Sequence, residues 1–598
     1  MPVSEYFNRV NADLLAVIPP DARVILEIGC GAGALCEAYR RINPGVKWHG
    51  FDINREAIAT AKQTRRCTSA QEIDIEREDV FDFGIYENNL DPGEADCLIA
   101  GDVLEHCFDP WTLLKRLVQG IAPGAQILAC IPNVQHWTVI RDLIAGHWRY
   151  ADEGLLDRTH LRFFTLESIR EMFEQAGLQV FEIRGRDLCN EGSEHWHQEY
   201  DIPTRKELRA YQYVVRAVKP IVCVGHSFKD GFFNNELPIK PLHIHAVTAE
   251  ECCARPRIRE PLAMIGTIPG VRCTTSQFRD GYPNSDILIQ QRYRIIDWGI
   301  QNDHVQEAVI VIAELDDDPA ALEGMSDDNY APLRAVHAVQ VSTEPLAEIV
   351  REFNPNVFVF PNQIADLPPP KEFKEGKNVR IFYGAQNREN DWKPIMSALN
   401  RVLEFHQEVI VEVVHDRAFY EALDVAAVGK LIKKAKARFH PFLPYHEYRA
   451  LLRSCDIALL PLEPGRFNEC KSDLKFLECA AEGVAVLASL YYGSPLDLNP
   501  MGEFYGEPQS FELALGSLIE HRKFRRKYAE RAYAYVRDHR LLSQHYRKLH
   551  AWYLDLISRR APLHQQLLDR CPELHHDCSP QHEQVEGTSP PALEEIAP

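Results

Sequence analysis

Short apolar runs, each closed by turn residues and followed by helically spaced apolar positions, set the rhythm of the first third of the chain. Residues 24–26 form a continuous apolar run that reads as a buried strand, and a helical segment begins at Leu35. Between them stand Glu27 and three alternating glycines, Gly29, Gly31 and Gly33. A second strand over 46–51 ends at Asp52, and residues 127–131 repeat the strand signal. This strand–helix alternation through residue 185 predicts a doubly wound sheet. Residues 186–216 break the rhythm and predict a linker, with a helical turn over 204–218.

Strands are expected again at 220–224, 243–247, 287–290 and 308–313. A charged, Pro-rich hinge from Asp366 to Lys377 separates them from further strands at 378–383, 409–414, 437–439, 457–459 and 485–488. A helical stretch, 510–558, precedes a tail rich in Pro, Glu, Ser and His, a composition that does not pack a core. The expected architecture is α/β throughout. A Rossmann-like domain spans 1–185, two Rossmann-like halves span 217–370 and 371–558, and a disordered tail spans 559–598.

Composition narrows the classes. At 598 residues the chain exceeds one core, so three or four domains are expected. A net charge of −21 argues against nonspecific binding to nucleic acid. No apolar run approaches a membrane span, and the opening Met-Pro-Val-Ser-Glu does not read as a signal peptide. A cytoplasmic protein is expected, with peripheral membrane contact left open. Most of the 16 cysteines, among them Cys30, Cys97, Cys130 and Cys455, fall in apolar segments and read as reduced core residues. The cluster Cys571, His575, His576 and Cys578 lies in the polar tail and reads as uncoordinated; no metal is expected.

The glycine turn carries the first chemistry. Glycine serves where backbone turns tightly and approaches a ligand, and an acid about 20 residues on reaches ribose hydroxyls. That arrangement suits an adenosine-bearing cofactor. Gly29-x-Gly31-x-x-Ala34 also satisfies the dinucleotide fingerprint, which keeps a nicotinamide oxidoreductase as an alternative. The fuller string Glu27-x-Gly29-x-Gly31-x-Gly33 resembles motif I of class I S-adenosylmethionine-dependent methyltransferases. Arg77-Glu78-Asp79-Val80 resembles the segment where an acid meets the adenine amine. The stretch from Asp96 to Pro110, with Glu105-His106, resembles the fourth-strand motif. Asp157-Arg158-Thr159-His160 and Ala176-Gly177-Leu178 are similar to segments of the small-molecule members. The resemblance implies S-adenosylmethionine held by Glu27, Gly29, Gly31, Gly33, Asp52, Asp79 and Val80. Methyl transfer to an oxygen would need a base, for which His106, His136 and His160 are candidates.

The second chemistry lies in the last α/β half. Asp456 to Pro461, then the stretch from Phe467 through Glu478 and Gly483 to Val486, resembles the donor-binding region of retaining glycosyltransferases of the GT-B fold. The resemblance implies a nucleotide-sugar donor, a glycan or glycoconjugate acceptor, and a ribose hydrogen bond to Glu478, the second glutamate of the family's E-x7-E motif. The first glutamate is replaced by Cys470, with Asn468, Glu469 or Asp473 as possible substitutes. Arg388 and Lys393 match the family's cation pair, which would stabilise the charge developing on the departing diphosphate. His440 is a further candidate near the sugar. Asp316-Asp317-Asp318 contains D-x-D, a metal-binding pattern elsewhere, and reads here as an acidic strand-end loop. Together the motifs imply a bifunctional methyl- and glycosyltransferase; a degenerate, non-catalytic sugar-binding half is the alternative.

Overall fold

The computed structural model describes residues 5–78, 80–81, 92–186, 206–221, 241–248, 251–277, 284–293, 298–306, 309–373, 376, 378–386, 388–423, 436–490 and 501–575. Within them lie three sheets. The first contains β1 (Val24–Ile28), β2 (Lys47–Asp52), β3 (Ser69–Glu72), β4 (Cys97–Gly101), β5 (Gln126–Pro132), β6 (Gln179–Arg186) and β7 (Gln212–Val218). Their order is β3-β2-β1-β4-β5-β7-β6. The first five strands are parallel, and β7 runs antiparallel between β5 and β6. Strand order reverses between β1 and β4, the position where open α/β sheets bind ligands. All five residues of β1 and all seven of β5 are buried, as strands covered by helices on both faces must be.

Strand β7 corrects the helix expected over 204–218. Its Tyr213, Val214, Val215 and Ala217 are all buried, as is Arg216, so the segment is covered on both faces and mostly apolar. A short apolar run of that kind does not distinguish strand from buried helix, and here the β-branched valines settle in the pleat. The first sheet therefore closes inside the stretch expected to be linker.

The second sheet is parallel, in the order β13-β12-β11-β10-β8-β9. It contains β8 (Leu242–Thr248), β9 (Val271–Gln277), β10 (Ile287–Gln291), β11 (Ile310–Leu315), β12 (Ala338–Val341) and β13 (Val357–Val359). The third, also parallel, contains β14 (Val379–Gly384), β15 (Val409–Val414), β16 (Ala437–His440), β17 (Ile457–Leu460), β18 (Ala485–Ser489) and β19 (Glu503–Tyr505). Its order, β16-β15-β14-β17-β18-β19, is that of a dinucleotide-binding sheet. The strand expected at 220–224 lies largely outside the described residues.

The chain then returns. Helix Leu542–Ser558 buries Tyr546, Leu549, Tyr553 and Leu556 against Ile244, Ile289 and Ile312 of the second sheet, tying the two later lobes together. The expected disordered tail is corrected in part. Helix Arg560–Arg570 and the turn Pro572–His575 bury Leu567, Cys571 and Leu574 against Val305 and Ala335. Sparse apolar residues at helical spacing suffice to dock a helix on an existing surface. Cys571 sits in that apolar cluster, and burial pushes its thiol up to about 12; His576 and Cys578 lie outside the described residues.

The first domain is bolted to the other two. Arg41 grips Asp366 with two hydrogen bonds of 2.6 Å, Leu367 N–H donates to the Arg41 carbonyl at 2.7 Å, and Tyr546 donates to Asp21 at 2.7 Å. No helix among the described residues is long and apolar enough to cross a membrane.

Candidate functional sites

The glycine turn follows β1 directly. Gly29, Gly31 and Gly33 all have positive φ (75°, 53° and 78°), the region side chains avoid. Protein neighbours also require them: a Cβ on Gly29 would overlap Val103, and one on Gly33 would lie 2.9 Å from the Cys67 sulfur. Gly31 faces the Phe7 backbone, whose carbonyl accepts Ala32 N–H at 3.1 Å. Asp52, at the end of β2, accepts Gly31 N–H (2.8 Å) and Asn54 N–H (2.7 Å). Each carboxylate oxygen keeps a further lone pair, so Asp52 shapes the loop and can still receive hydroxyls. Burial nonetheless holds its carboxyl above the ordinary range. Glu27 is buried, accepts Trp48 Nε1–H at 2.9 Å, and is pushed well up by burial. Val80 is part of the apolar core, and Asp79 lies outside the described residues.

Next to this loop, the end of β4 gathers the remaining polar groups. Asp102 has φ 54° and accepts Gln212 Nε2–H at 2.9 Å. The turn Leu104–His106 follows, and Glu105 is only 1% exposed. Neither of its carboxylate oxygens has a hydrogen-bond partner among the described residues, and burial, reinforced by Asp102, drives its carboxyl well above the usual range. The Glu105 carbonyl accepts Leu161 and Arg162 N–H (2.8 and 3.0 Å), which brings the 157–165 loop over the turn. His106 and His160 thereby meet edge to face, with ring centroids 4.8 Å apart.

Nδ1 of His106 lies 3.2 Å from the Thr159 carbonyl, and Nδ1 of His160 lies 3.2 Å from that of Leu155. A carbonyl only accepts, so in each ring Nδ1 is the donor and Nε2 is the nitrogen left for other chemistry. Burial, and then the neighbouring His160, lower the His106 pKa below its ordinary 6.5 and keep the ring neutral. Glu105, His106 and His160 each bring one ligand atom within 4.8 Å of the others, a set able to hold a metal ion. The sequence reading missed this set because its members come from two loops, and Glu105 alone reads as a capping acid. Trp148, Tyr150 and Phe163 adjoin His160 as an aromatic group, partly open to solvent. His136 is buried at the start of helix Trp137–Ile144 and contacts Thr138 and Tyr211.

The second candidate site lies between the later lobes. Helix Leu474–Ala481 carries Glu478, 6% exposed, on its buried face. Lys475 Nζ lies 3.3 Å from one oxygen of Glu478, and Arg255 from the second lobe lies 3.6 Å from the other. Glu478 therefore faces the gap between the lobes. It lines a cavity of about 540 Å³ with Arg255, Tyr445 and Arg449.

The other sequence candidates divide. Arg388 is held by Asn468 (2.9 Å) and Asp391 (3.1 Å). Lys393 points outward, half exposed, and pairs with Glu389 one turn back at 3.1 Å. His440 joins Arg380 and Arg438 around the buried Glu412. Burial alone would raise the Glu412 carboxyl, but these partners together hold it below its ordinary value.

The acidic triplet is neutralised by cations. Arg292 binds Asp316 (2.7 Å) and Asp317 (2.5 Å), Arg466 binds Asp318 (2.9 Å), and Lys471 binds Asp317. Arg466 and Lys471 come from the third lobe, so the triplet joins the two lobes. Cys470, 1% exposed, is seated in the second lobe's apolar core with Leu288 and Val339, and its carbonyl accepts Thr343 Oγ1–H at 2.9 Å.

Comparison with known proteins agrees with this division. Residues 4–183 match the family model described as a methyltransferase domain, and residues 406–551 match one described as glycosyl transferase-like. The chain is thus similar to a methyltransferase domain over its first part and to a glycosyl transferase-like domain over part of its last, on the parallel α/β sheets described above. The first match favours a methyltransferase over the nicotinamide alternative.

Among curated relatives, the ubiquinone biosynthesis O-methyltransferase of Nitrobacter winogradskyi is 28% identical over 174 residues, 27% of this chain and 58% of that protein. The chain thus spans less than two thirds of that relative. The Xanthomonas campestris protein of the same name is 26% identical over 215 residues, 36% of this chain and 83% of its own. Of solved structures, a SAM-dependent methyltransferase from Archaeoglobus fulgidus covers 35% of this chain and 92% of its own at 20% identity, with a TM-score of 0.25. S. aureus TarM, solved with fondaparinux, α-GlcNAc-glycerol and UDP, covers 45% of this chain and 55% of its own at 11% identity, with a TM-score of 0.33. At these scores neither likeness adds to the topology described above.

Proposed function

We propose that the chain is a bifunctional cytoplasmic enzyme of glycan or polysaccharide biosynthesis. Its first domain would methylate a hydroxyl of a small or glycan acceptor, and its later lobes would transfer a sugar with retention from a nucleotide-sugar. Support for the methyl-transfer reading comes from the His106–His160 pair, each ring using Nδ1 on a backbone carbonyl, beside the glycine turn and Glu105, whose carboxylate oxygens have no hydrogen-bond partner among the described residues. S-adenosylmethionine, when bound, supplies an electrophilic methyl group. The glycine turn gives it room, and Asp52 accepts its ribose hydroxyls. Nε2 of His106 or His160 takes the acceptor's hydroxyl proton and leaves the oxygen nucleophilic, while the loops hold it in line with the methyl. The aromatic group Trp148, Tyr150 and Phe163 favours an acceptor with an apolar face, in keeping with relatives named for ubiquinone biosynthesis.

The alternative to an imidazole base is a divalent cation held by Glu105, His106 and His160, which would itself acidify that hydroxyl. Treatment with EDTA separates metal from imidazole chemistry: loss of methyl transfer restored by Mg²⁺, Mn²⁺ or Zn²⁺ supports the metal, and unchanged turnover removes it. His160→Ala should abolish methyl transfer while S-adenosylmethionine still binds; full activity in that variant sinks the reading.

For the later lobes, support comes from Glu478 facing the cavity and from Arg388 held beside the loop that precedes its helix. Glu478→Ala and Arg388→Ala should each lower nucleoside diphosphate release from a panel of nucleotide-sugars. A second reading, a non-catalytic sugar-binding module, is favoured by Cys470 lying in the neighbouring lobe's core where the family has a glutamate. Absence of release from every donor tested would establish that reading instead.

A further inference from the structure

The cavity beside Glu478 is assembled from more than the two later lobes. Arg255 belongs to the second lobe, Tyr445, Arg449 and Glu478 to the third, Asp366 to the connecting hinge, and Arg41 to the methyltransferase domain. Arg41 follows helix Ala34–Tyr39, which begins immediately after the glycine turn. Its guanidinium clamps Asp366 through both oxygens, and Asp366 also accepts Arg449 Nη1–H at 2.6 Å. Arg449 in turn binds Glu482 and lies 5.7 Å from the centre of the Tyr445 ring. Burial alone would raise the Asp366 carboxyl, but Arg41 and Arg449 hold it below its ordinary value. The cavity wall is thus a relay of ion pairs that starts in the first domain and ends on an aromatic ring.

The chemistry of the lining selects a ligand class. The charges balance: Arg255 pairs with Glu260 (2.7 Å) and Glu478, Arg41 and Arg449 with Asp366, and Arg449 and Arg453 with Glu482. A balanced wall suits a neutral, hydrogen-bonding ligand better than a polyanion. Glu478 offers acceptors for hydroxyls, and Tyr445 offers a flat face. The Arg255 guanidinium covers that face, 3.2 Å from the ring centre, a plane-on-ring contact that a base could replace. Leu474, the first residue of the Glu478 helix, stands at the cavity's edge, where helix N–H groups favour phosphate. A volume of about 540 Å³ is that of a small-molecule site.

The family resemblance already puts the donor's nucleoside at Glu478; beyond it, we infer that Arg41 of the methyltransferase domain is a positioning residue for that subsite. The donor site of the later lobes is then incomplete without the first domain. This inference rests on the glycosyltransferase reading above.

The test titrates the full-length protein with UDP, GDP, ADP and CDP by calorimetry, alongside S-adenosylmethionine. The wild type should bind at least one diphosphate. Arg41→Ala should weaken that binding about tenfold, and raise the donor KM without changing kcat, with S-adenosylmethionine affinity unchanged. Arg41→Lys, which keeps the cation beside Asp366, should return binding to within about threefold of the wild type. Asp21→Asn loosens the docking at Tyr546, away from the cavity, and should leave diphosphate binding unchanged. If Arg41→Ala binds like the wild type, or if Asp21→Asn weakens binding equally, Arg41 does not shape the subsite and the inference falls. If the wild type binds none of the four, the donor reading itself fails and this assignment goes with it.

Discussion

The glycine turn and the interlobe cleft stand at comparable places, the ends of parallel strands, yet they are built from very different lengths of chain. The turn, its acid and the hydrogen bonds joining them lie within residues 27–54, and Gly31 donates directly to Asp52. The cleft draws on residues from 41 to 482, and its carboxylate already faces a cation from another lobe. The local site is rigid through backbone geometry. The dispersed site depends on ion pairs that cross domain boundaries, so perturbations far from Glu478 should reach it.

The sharpest break in that comparison is Gly29→Ala. The positive φ and the overlap with Val103 should lower S-adenosylmethionine affinity on the order of 100-fold, as measured by calorimetry, while nucleoside diphosphate binding stays unchanged. Loss of both would show that the two sites are not separable.

A smaller effect is expected from Asp317→Ala, which strips Arg292 and Lys471 of a shared partner at the lobe junction. Scanning calorimetry should show the later lobes destabilised by about 1–3 kcal/mol, since both cations lose a partly buried carboxylate. An unchanged transition would mean the triplet does not hold the lobes.

The pH dependence of methyl transfer probes the local site more gently. The folded pKa of His106 is depressed, so its neutral form persists as pH falls through the ordinary imidazole value of 6.5. The acid limb of the pH–rate profile should therefore lie below 6.5. A limb above 6.5 would contradict a buried neutral imidazole as the base. Smallest of all, Lys393→Ala should change donor turnover by less than about threefold, because its exposed pair with Glu389 contributes little.

What the sequence made legible follows the same division. Gly29, Gly31, Gly33 and Asp52 were readable because turn, strand end and acid are neighbours in sequence as well as in space. The three parallel cores were readable from their apolar runs. Strand β7 was not, because Tyr213, Val214, Val215 and Ala217 put apolar residues on both faces and carry no period that separates strand from helix. Glu105, His106 and His160 became a set only when the 157–165 loop folded across the turn. Lys393 matched a motif spacing, but the first turns of helix Glu389–Phe405 turn its side chain to solvent. Arg41 carried no signal at all, since its partners lie more than 300 residues away.

The central claim is that one polypeptide holds two separate donor sites, and sequential calorimetry tests it most directly. Full-length protein is saturated with S-adenosylmethionine and then titrated with UDP, GDP, ADP and CDP, for the wild type and for Glu478→Ala. The account predicts one equivalent of S-adenosylmethionine in both proteins, followed by one equivalent of a diphosphate in the wild type only. Competition between the two ligands, or a diphosphate isotherm that Glu478→Ala leaves intact, would contradict it.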